Sequence, residues 1–285
     1  MKKILILLGC IFLGSACGPV VNRTYYESGA LMQEETQNKG IWEGPIKSYY
    51  ENGQLKEDKV LKNSKLEGPA TCYYESGAIK VKENWLNGQL DGEYLLFCEN
   101  GNIQEQHHYK TGKFHGKMEL YYNCTTTLSD AKVYVDGILE GVREIYYPDG
   151  KLKEKTTYAK GKPNGLKQAF SPEGKKTEEE NYANGILHGM CRYYYPNGSA
   201  LQEINYVNGK KHGAEKLFYK RGNLQKETPY ENGIIQGTVK QYAGSGYLWL
   251  LENYKNDILH GKSIQYNKSG RIMKQVDYMN GEIVK

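Results

Sequence analysis

Four histidines, His115, His188, His212 and His260, occupy one recurring position, each directly before a glycine. Imidazoles in such a pattern are candidate zinc ligands, which need a compact tetrahedron with metal–nitrogen distances of about 2.0–2.1 Å. In other copies the same position holds Glu43, Glu67, Asp91, Glu140, Asn164 and Gln236. The position therefore asks for a polar group at a turn. Neighbouring copies stand two strands apart, about 9.6 Å, too far for ligation by adjacent copies alone. His107 and His108 are consecutive, so on a strand they point to opposite faces, and they are read as surface residues. Cys72, Cys98, Cys124 and Cys191 show no Cys-x-x-Cys spacing. The first three lie on corresponding legs or turns of successive copies, wider apart than the ~4.4–6.8 Å between Cα atoms that a disulfide spans. They are read as free thiols. Glu178-Glu179-Glu180 could supply paired carboxylates for acid–base work. That chemistry needs a cleft, and the run is read as a solvated strand edge. No phosphate-binding loop closes with Lys-Ser or Lys-Thr, and no Ser-His-Asp signature is present. The reading is of a non-enzyme with no catalytic residue, no metal and no cofactor.

The elements that carry these residues repeat. A first glycine series, Gly44, Gly68, Gly92, Gly116 and onward to Gly261, advances in steps of 24 residues with a single step of 25. A second series, Gly29, Gly53, Gly77, Gly101 and onward to Gly270, keeps the same step and lacks one member near Thr125. A third stands four residues before the first, at Gly40, Gly88, Gly112 and so on, with Ser64 and Asp257 replacing glycine. Four residues before the second series comes an aromatic column, Tyr25, Tyr49, Tyr73, Phe97, Tyr121 and their equivalents. Another precedes the third series by three residues, including Trp85, Tyr109, Tyr134 and Tyr158. Each unit reads as a β-hairpin. In the second, Ile46 to Tyr50 is a strand, Glu51-Asn52-Gly53 the turn and Leu55 to Leu61 the return. Asn-Gly at these turns supplies the positive φ angles of a tight hairpin, and legs of about seven residues leave no room for a helix. In the fifth unit Asn123-Cys124-Thr125-Thr126-Thr127 replaces the usual turn, which implies a bulge or longer loop, with a docking site for a partner as the sharper alternative.

Composition agrees. The chain holds 33 Gly and 26 Tyr, its mean hydropathy is −0.73, and its net charge of +5 is too mild to point to nucleic acid. A hairpin alone cannot bury its apolar face, so stability comes from neighbouring repeats. The aromatic columns are read as packing. One column further on, Tyr50, Tyr74, Tyr122, Tyr147, Tyr195 and Tyr219, points to the other face and is the candidate partner-binding stripe.

The run Tyr-Tyr-x-Asn-Gly followed by Tyr-x-Asn-Gly-x-x-x-Gly resembles the bacterial variant of the MORN repeat, a group often placed with YwqK-type antitoxins. The resemblance covers 25–285 with roughly ten copies and a partial eleventh. It implies an all-β fold: an elongated single-layer antiparallel β-meander of about ten 24-residue hairpin repeats, about 21 strands in all. Ahead of it, Met1-Lys2-Lys3, an apolar stretch from Ile4 to Leu13, and Gly14-Ser15-Ala16-Cys17 resemble a lipoprotein signal peptide. The expected organisation is a signal peptide over 1–16, a lipidated Cys17 with linker over 17–24, and the repeat domain over 25–285. The functional expectation is a monomeric, lipid-anchored scaffold at the cell envelope, at the outer membrane or cell surface rather than in the cytoplasm. Its partner is a protein or surface polymer, not nucleic acid. The alternative is an antitoxin or immunity protein that neutralises a toxin.

Overall fold

The computed structural model describes residues 18–284, so the leader and Cys17 lie outside the described residues. Among these residues every element is a strand, and all pairings are antiparallel. The first strand, Val20–Tyr25, pairs with Leu31–Asn38, so most of the stretch expected as linker belongs to the sheet. Each copy then alternates a long leg of eight residues, such as Leu55–Lys62, with a shorter leg, such as Gly68–Tyr73. Among the described residues the strands number thirty rather than about 21, chiefly because the shorter leg breaks just before the first-series glycine. Seven copies are split this way, as in Lys65–Leu66 and Gly68–Tyr73, whereas Ile41–Tyr49, Lys162–Phe170 and Ile258–Tyr266 run through as nine residues.

The interruption is a bulge. Tyr158 pairs with Pro163, but Thr156 pairs with Lys167, so the shorter leg carries two extra residues at Gly165. Gly165 has φ of +114°, and an added Cβ would stand 3.3 Å from that of Thr157 on the preceding leg. Glycine is required there on both counts.

The two turn types differ. At the third series both central residues have positive φ, as in Asn87 (51°) and Gly88 (80°), the mirror-image turn that Asn-Gly favours. Ser64 (60°) and Asp257 (64°) hold the same conformation where glycine is missing. At the second series only the glycine is left-handed. Gly53 N–H donates to the Tyr50 carbonyl at 2.9 Å, and Tyr50 N–H donates to that of Gln54 at 2.8 Å. Asn52 contributes its side chain instead, accepting the Gln54 amide at 2.9 Å and donating to the Glu75 carbonyl of the next copy at 3.2 Å. This corrects the expectation of positive φ at both residues of that Asn-Gly.

Cys98 and Cys124 form a disulfide with Cα atoms 5.6 Å apart, against the reading of free thiols. Equivalent positions of successive copies stand too far apart to be bridged, but Cys98 and Cys124 are not equivalent positions. Cys98 stands one residue after the Phe97 column, whereas Cys124 stands three after Tyr121, in the lengthened turn. Asn123 and Cys124 both take positive φ there, and the Cys124 carbonyl accepts Asn100 Nδ2 at 3.1 Å and Asn102 Nδ2 at 2.6 Å. The irregular turn is therefore tied to the one before it. Cys72 and Cys191 are free thiols.

The chain divides into two compact units, Met1–Leu139 with Pro148–Gly150, and Glu140–Tyr147 with Lys151–Lys285. In each, the core is a seam formed by the residue two past the first-series glycine and its cross-strand partner. In the N-terminal unit Tyr94 faces His107, and in the C-terminal unit Cys191 faces Ile204, both fully buried. Substitution separates the glycine roles. Gly165→Ala is expected to cost roughly 1–3 kcal/mol in urea unfolding. Gly161→Asn, in a turn that accepts Ser and Asp elsewhere, should stay within about 0.5 kcal/mol.

Candidate interaction surface

At the second-series turns the candidate tyrosine column has a task inside the sheet. Tyr50 Oη donates to the Tyr73 carbonyl at 2.7 Å and Tyr74 Oη to that of Phe97 at 2.7 Å. Tyr147, Tyr195 and Tyr219 repeat the bond to Phe170, Phe218 and Tyr242 at 2.8, 2.8 and 2.9 Å. Each hydroxyl thus reaches one repeat forward. All six rings, Tyr122 included, are half-buried rather than exposed. Lys56, Lys80 and Lys153 lie over the rings of Tyr50, Tyr74 and Tyr147, 5.8, 5.5 and 5.7 Å from their centroids. Cys98 takes the place of a tyrosine in this column, and its disulfide makes the forward link covalently.

At the third-series turns the link runs through the polar position before the first-series glycine. Glu43, Glu67 and Asp91 accept the backbone N–H of Asn63, Asn87 and Thr111 in the next turn at 2.9, 2.8 and 2.9 Å. Asn164 and Gln236 do the same for Asn184 and Asn256 at 3.0 Å. His188 and His260 offer Nδ1 to Asn208 and Asn280 at 3.4 Å. The common requirement is an acceptor, which explains a column open to Glu, Asp, Asn, Gln and His. Among the described residues no group of three His, Cys, Asp or Glu side chains is placed to hold a metal ion.

Two clusters depart from the sequence reading. Glu178-Glu179-Glu180 lies within a strand paired on both sides, not on a solvated edge. Glu180 is 9% exposed and accepts Tyr182 Oη and Tyr193 Oη at 2.8 Å and Lys167 Nζ at 3.2 Å. Burial and the Glu180 bond push the Tyr182 hydroxyl up to about 12. Across the sheet, Lys176 and then Tyr194 hydrogen-bond the Glu179 carboxylate and hold it at about 2. In the N-terminal unit His107 is 7% exposed, not a surface residue. It packs against Tyr94 and Phe114 with ring centroids 5.4 Å away in each case. Its Nε2 lies 3.1 Å from Glu105, yet neither ring nitrogen makes a well-aligned hydrogen bond, and burial pushes its pKa down. Periodicity marks the seam position of His107 and Glu180. No local pattern distinguishes a buried polar residue from an exposed one in a sheet with polar groups on both faces.

Glu179 sets a pH dependence. Its carboxyl is lower in the folded than in the unfolded chain, so its contribution is present above about pH 4.5 and is lost as pH falls toward about 2. Glu179→Gln is expected to lower the thermal midpoint at pH 7 and to lose less than the wild type between those limits. Equal losses in the two proteins would contradict this assignment.

The MORN repeat variant model matches residues 42–63, 66–87, 90–111, 139–160, 187–208 and 211–232. No curated protein matches the sequence. Among solved structures, TcdB2-TccC3-Cdc42 is similar over 92% of this chain and 20% of that one, at 13% identity and a TM-score of 0.21. TcdB2-TccC3-TEV is similar over 92% and 16%, at 12% identity and a TM-score of 0.18. A Photorhabdus luminescens Tc holotoxin pore structure is similar over 92% and 20%, at 12% identity and a TM-score of 0.13. This chain spans a fifth or less of those chains, and likeness at these scores carries no argument about function. The protein is a tandem array of β-hairpin units, six of which match the MORN repeat variant.

Proposed function

We propose that the protein is an exported lipoprotein, anchored through Cys17, whose repeat sheet is a non-catalytic interaction scaffold at the cell envelope. The observation that carries this reading is the Cys98–Cys124 disulfide. Such bonds persist in oxidising compartments and are rare in reducing cytosol. The basic, apolar and small-residue order from Met1 to Cys17 supports the same address. Acyl chains on one cysteine, at about 0.8 kcal/mol per buried CH₂, would hold the chain at a membrane without a spanning helix.

The scaffold role rests on the periodicity. Each hairpin offers a partner the same set of groups at a regular interval, the arrangement that repeat proteins use to bind elongated protein or polymer partners. Because the hydroxyls of Tyr50, Tyr74, Tyr147, Tyr195 and Tyr219 are committed within the sheet, their rings, with that of Tyr122, are the groups proposed to meet the partner. Metabolic labelling with palmitate tests the address. Wild type is expected to carry label in the membrane fraction, and Cys17→Ser to carry none. Unlabelled wild type found soluble in the cytoplasm would overturn the reading and favour an intracellular toxin-neutralising role.

A further inference from the structure

We propose that the long leg Ile103–Lys110 is an acid-sensitive joint of the N-terminal unit, closed while His107 is neutral and opened when its imidazole takes up a proton. The joint does not depend on the anchor proposed at Cys17. Its seam position follows a pattern. Where the seam residue is polar, an acidic residue two places earlier on the same face often serves it. Lys59 pairs with Glu57 at 3.2 Å, Lys132 pairs with Asp130 at 3.0 Å, and Thr156 Oγ1 donates to Glu154 at 3.1 Å. Glu105 stands in the same relation to His107, 3.1 Å from Nε2, yet both ring nitrogens are buried without a well-aligned partner.

The surroundings suit a neutral ring. Tyr94 on the preceding leg and Phe114 after the turn stack on it at 5.4 Å, and Tyr109 on its own strand stands at 6.2 Å. Met118, on the following leg, is buried and uncharged. The charged groups that bear on the ring are Glu105, on its own strand, and Lys132, already committed to Asp130. An imidazolium carries two N–H donors. Glu105 can receive one, and the other has no acceptor in place. Burial opposes the charge most strongly and Lys132 adds to it, against the favourable Glu105 carboxylate. The charged ring therefore needs water, which enters only if the leg parts from its neighbours.

The disulfide brackets this joint. Cys98 and Cys124 stand 26 residues apart in the chain, and the loop they close contains all of Ile103–Lys110 and the returning leg Gly116–Tyr121. The bond ties the turns at the two ends of that loop, so the legs can part at His107 while the hairpin stays attached. Opening is thereby local and reversible. The sign follows from the ring's environment. The folded chain holds His107 below its ordinary value of 6.5, so the neutral ring's contribution is complete above that pH. It is lost as pH falls through the lower value of the folded state.

Hydrogen exchange of the disulfide-bonded full chain, corrected for the pH dependence of intrinsic exchange, reads the joint directly. Between about pH 7.5 and about pH 5.0, amides of Gly92–Phe97 and Ile103–Lys110 should lose protection at least about fivefold. Those of Ala200–Val207, where Ile204 fills the same seam position, should change less than about twofold. His107→Phe keeps a ring in the stack without a proton site and should abolish the difference. His108→Gln, on the other face, should retain it. Unchanged protection of the wild type at the lower pH would overturn the inference. So would a loss that persists in His107→Phe or extends equally to Ala200–Val207. If His107→Phe does not fold, the imidazole proton resonances of the wild type decide the matter. His107 is expected to titrate below 6.5 together with the loss of protection, and titration at or above 6.5 would contradict the joint.

Discussion

Most repeats are fastened to the one before by two hydrogen bonds from the tip of a turn. Asn87 N–H donates to the Glu67 carboxylate at 2.8 Å and Gly88 N–H to the Leu66 carbonyl at 2.9 Å, and the pattern recurs through both units. The constraint behind it is that a single layer of strands has no second layer to cover it. A two-stranded hairpin is marginal alone, so stability resides in bonds between neighbours. At the other edge the tyrosine hydroxyls make the reciprocal connection, reaching forward to a carbonyl of the next copy. The three glycine series serve this geometry: one makes the bulge, one closes the long turn and one forms the tip.

The hairpin unit, its period and the positions of its turns were legible because glycines and aromatic residues recur at fixed intervals, whereas the left-handed φ expected at both residues of the second-series Asn-Gly occurs at the glycine alone. The acceptor column was half legible. Its mixture of Glu, Asp, Asn, Gln and His pointed to a polar turn position, but only the structure shows that Glu43 and Glu67 receive the next turn's amide. The disulfide was missed because the spacing of equivalent positions was applied to Cys98 and Cys124, which are not equivalent. The extra residue in that turn was the available clue. The burial of His107 and Glu180 was not legible, since a thin sheet mixes polar and apolar groups along the same seam.

The tyrosine stripe illustrates how one column can serve both structure and recognition. Its hydroxyls are consumed by the ladder, while lysines cover several of the ring faces. A partner meeting this column would encounter aromatic surface and ammonium groups at a regular interval, not free phenols. That arrangement suits an extended partner better than a small ligand, which needs a concave pocket with convergent polar groups.

The most direct test of the fastening between repeats is residue-level hydrogen exchange at Asn63, Asn87 and Thr111. These amides sit at exposed turn tips and would exchange like free peptide if the tips were unattached. Bonding to Glu43, Glu67 and Asp91 at 2.9, 2.8 and 2.9 Å predicts slowing of at least about a hundredfold. Exchange at the rate of unstructured peptide at all three positions would contradict the account.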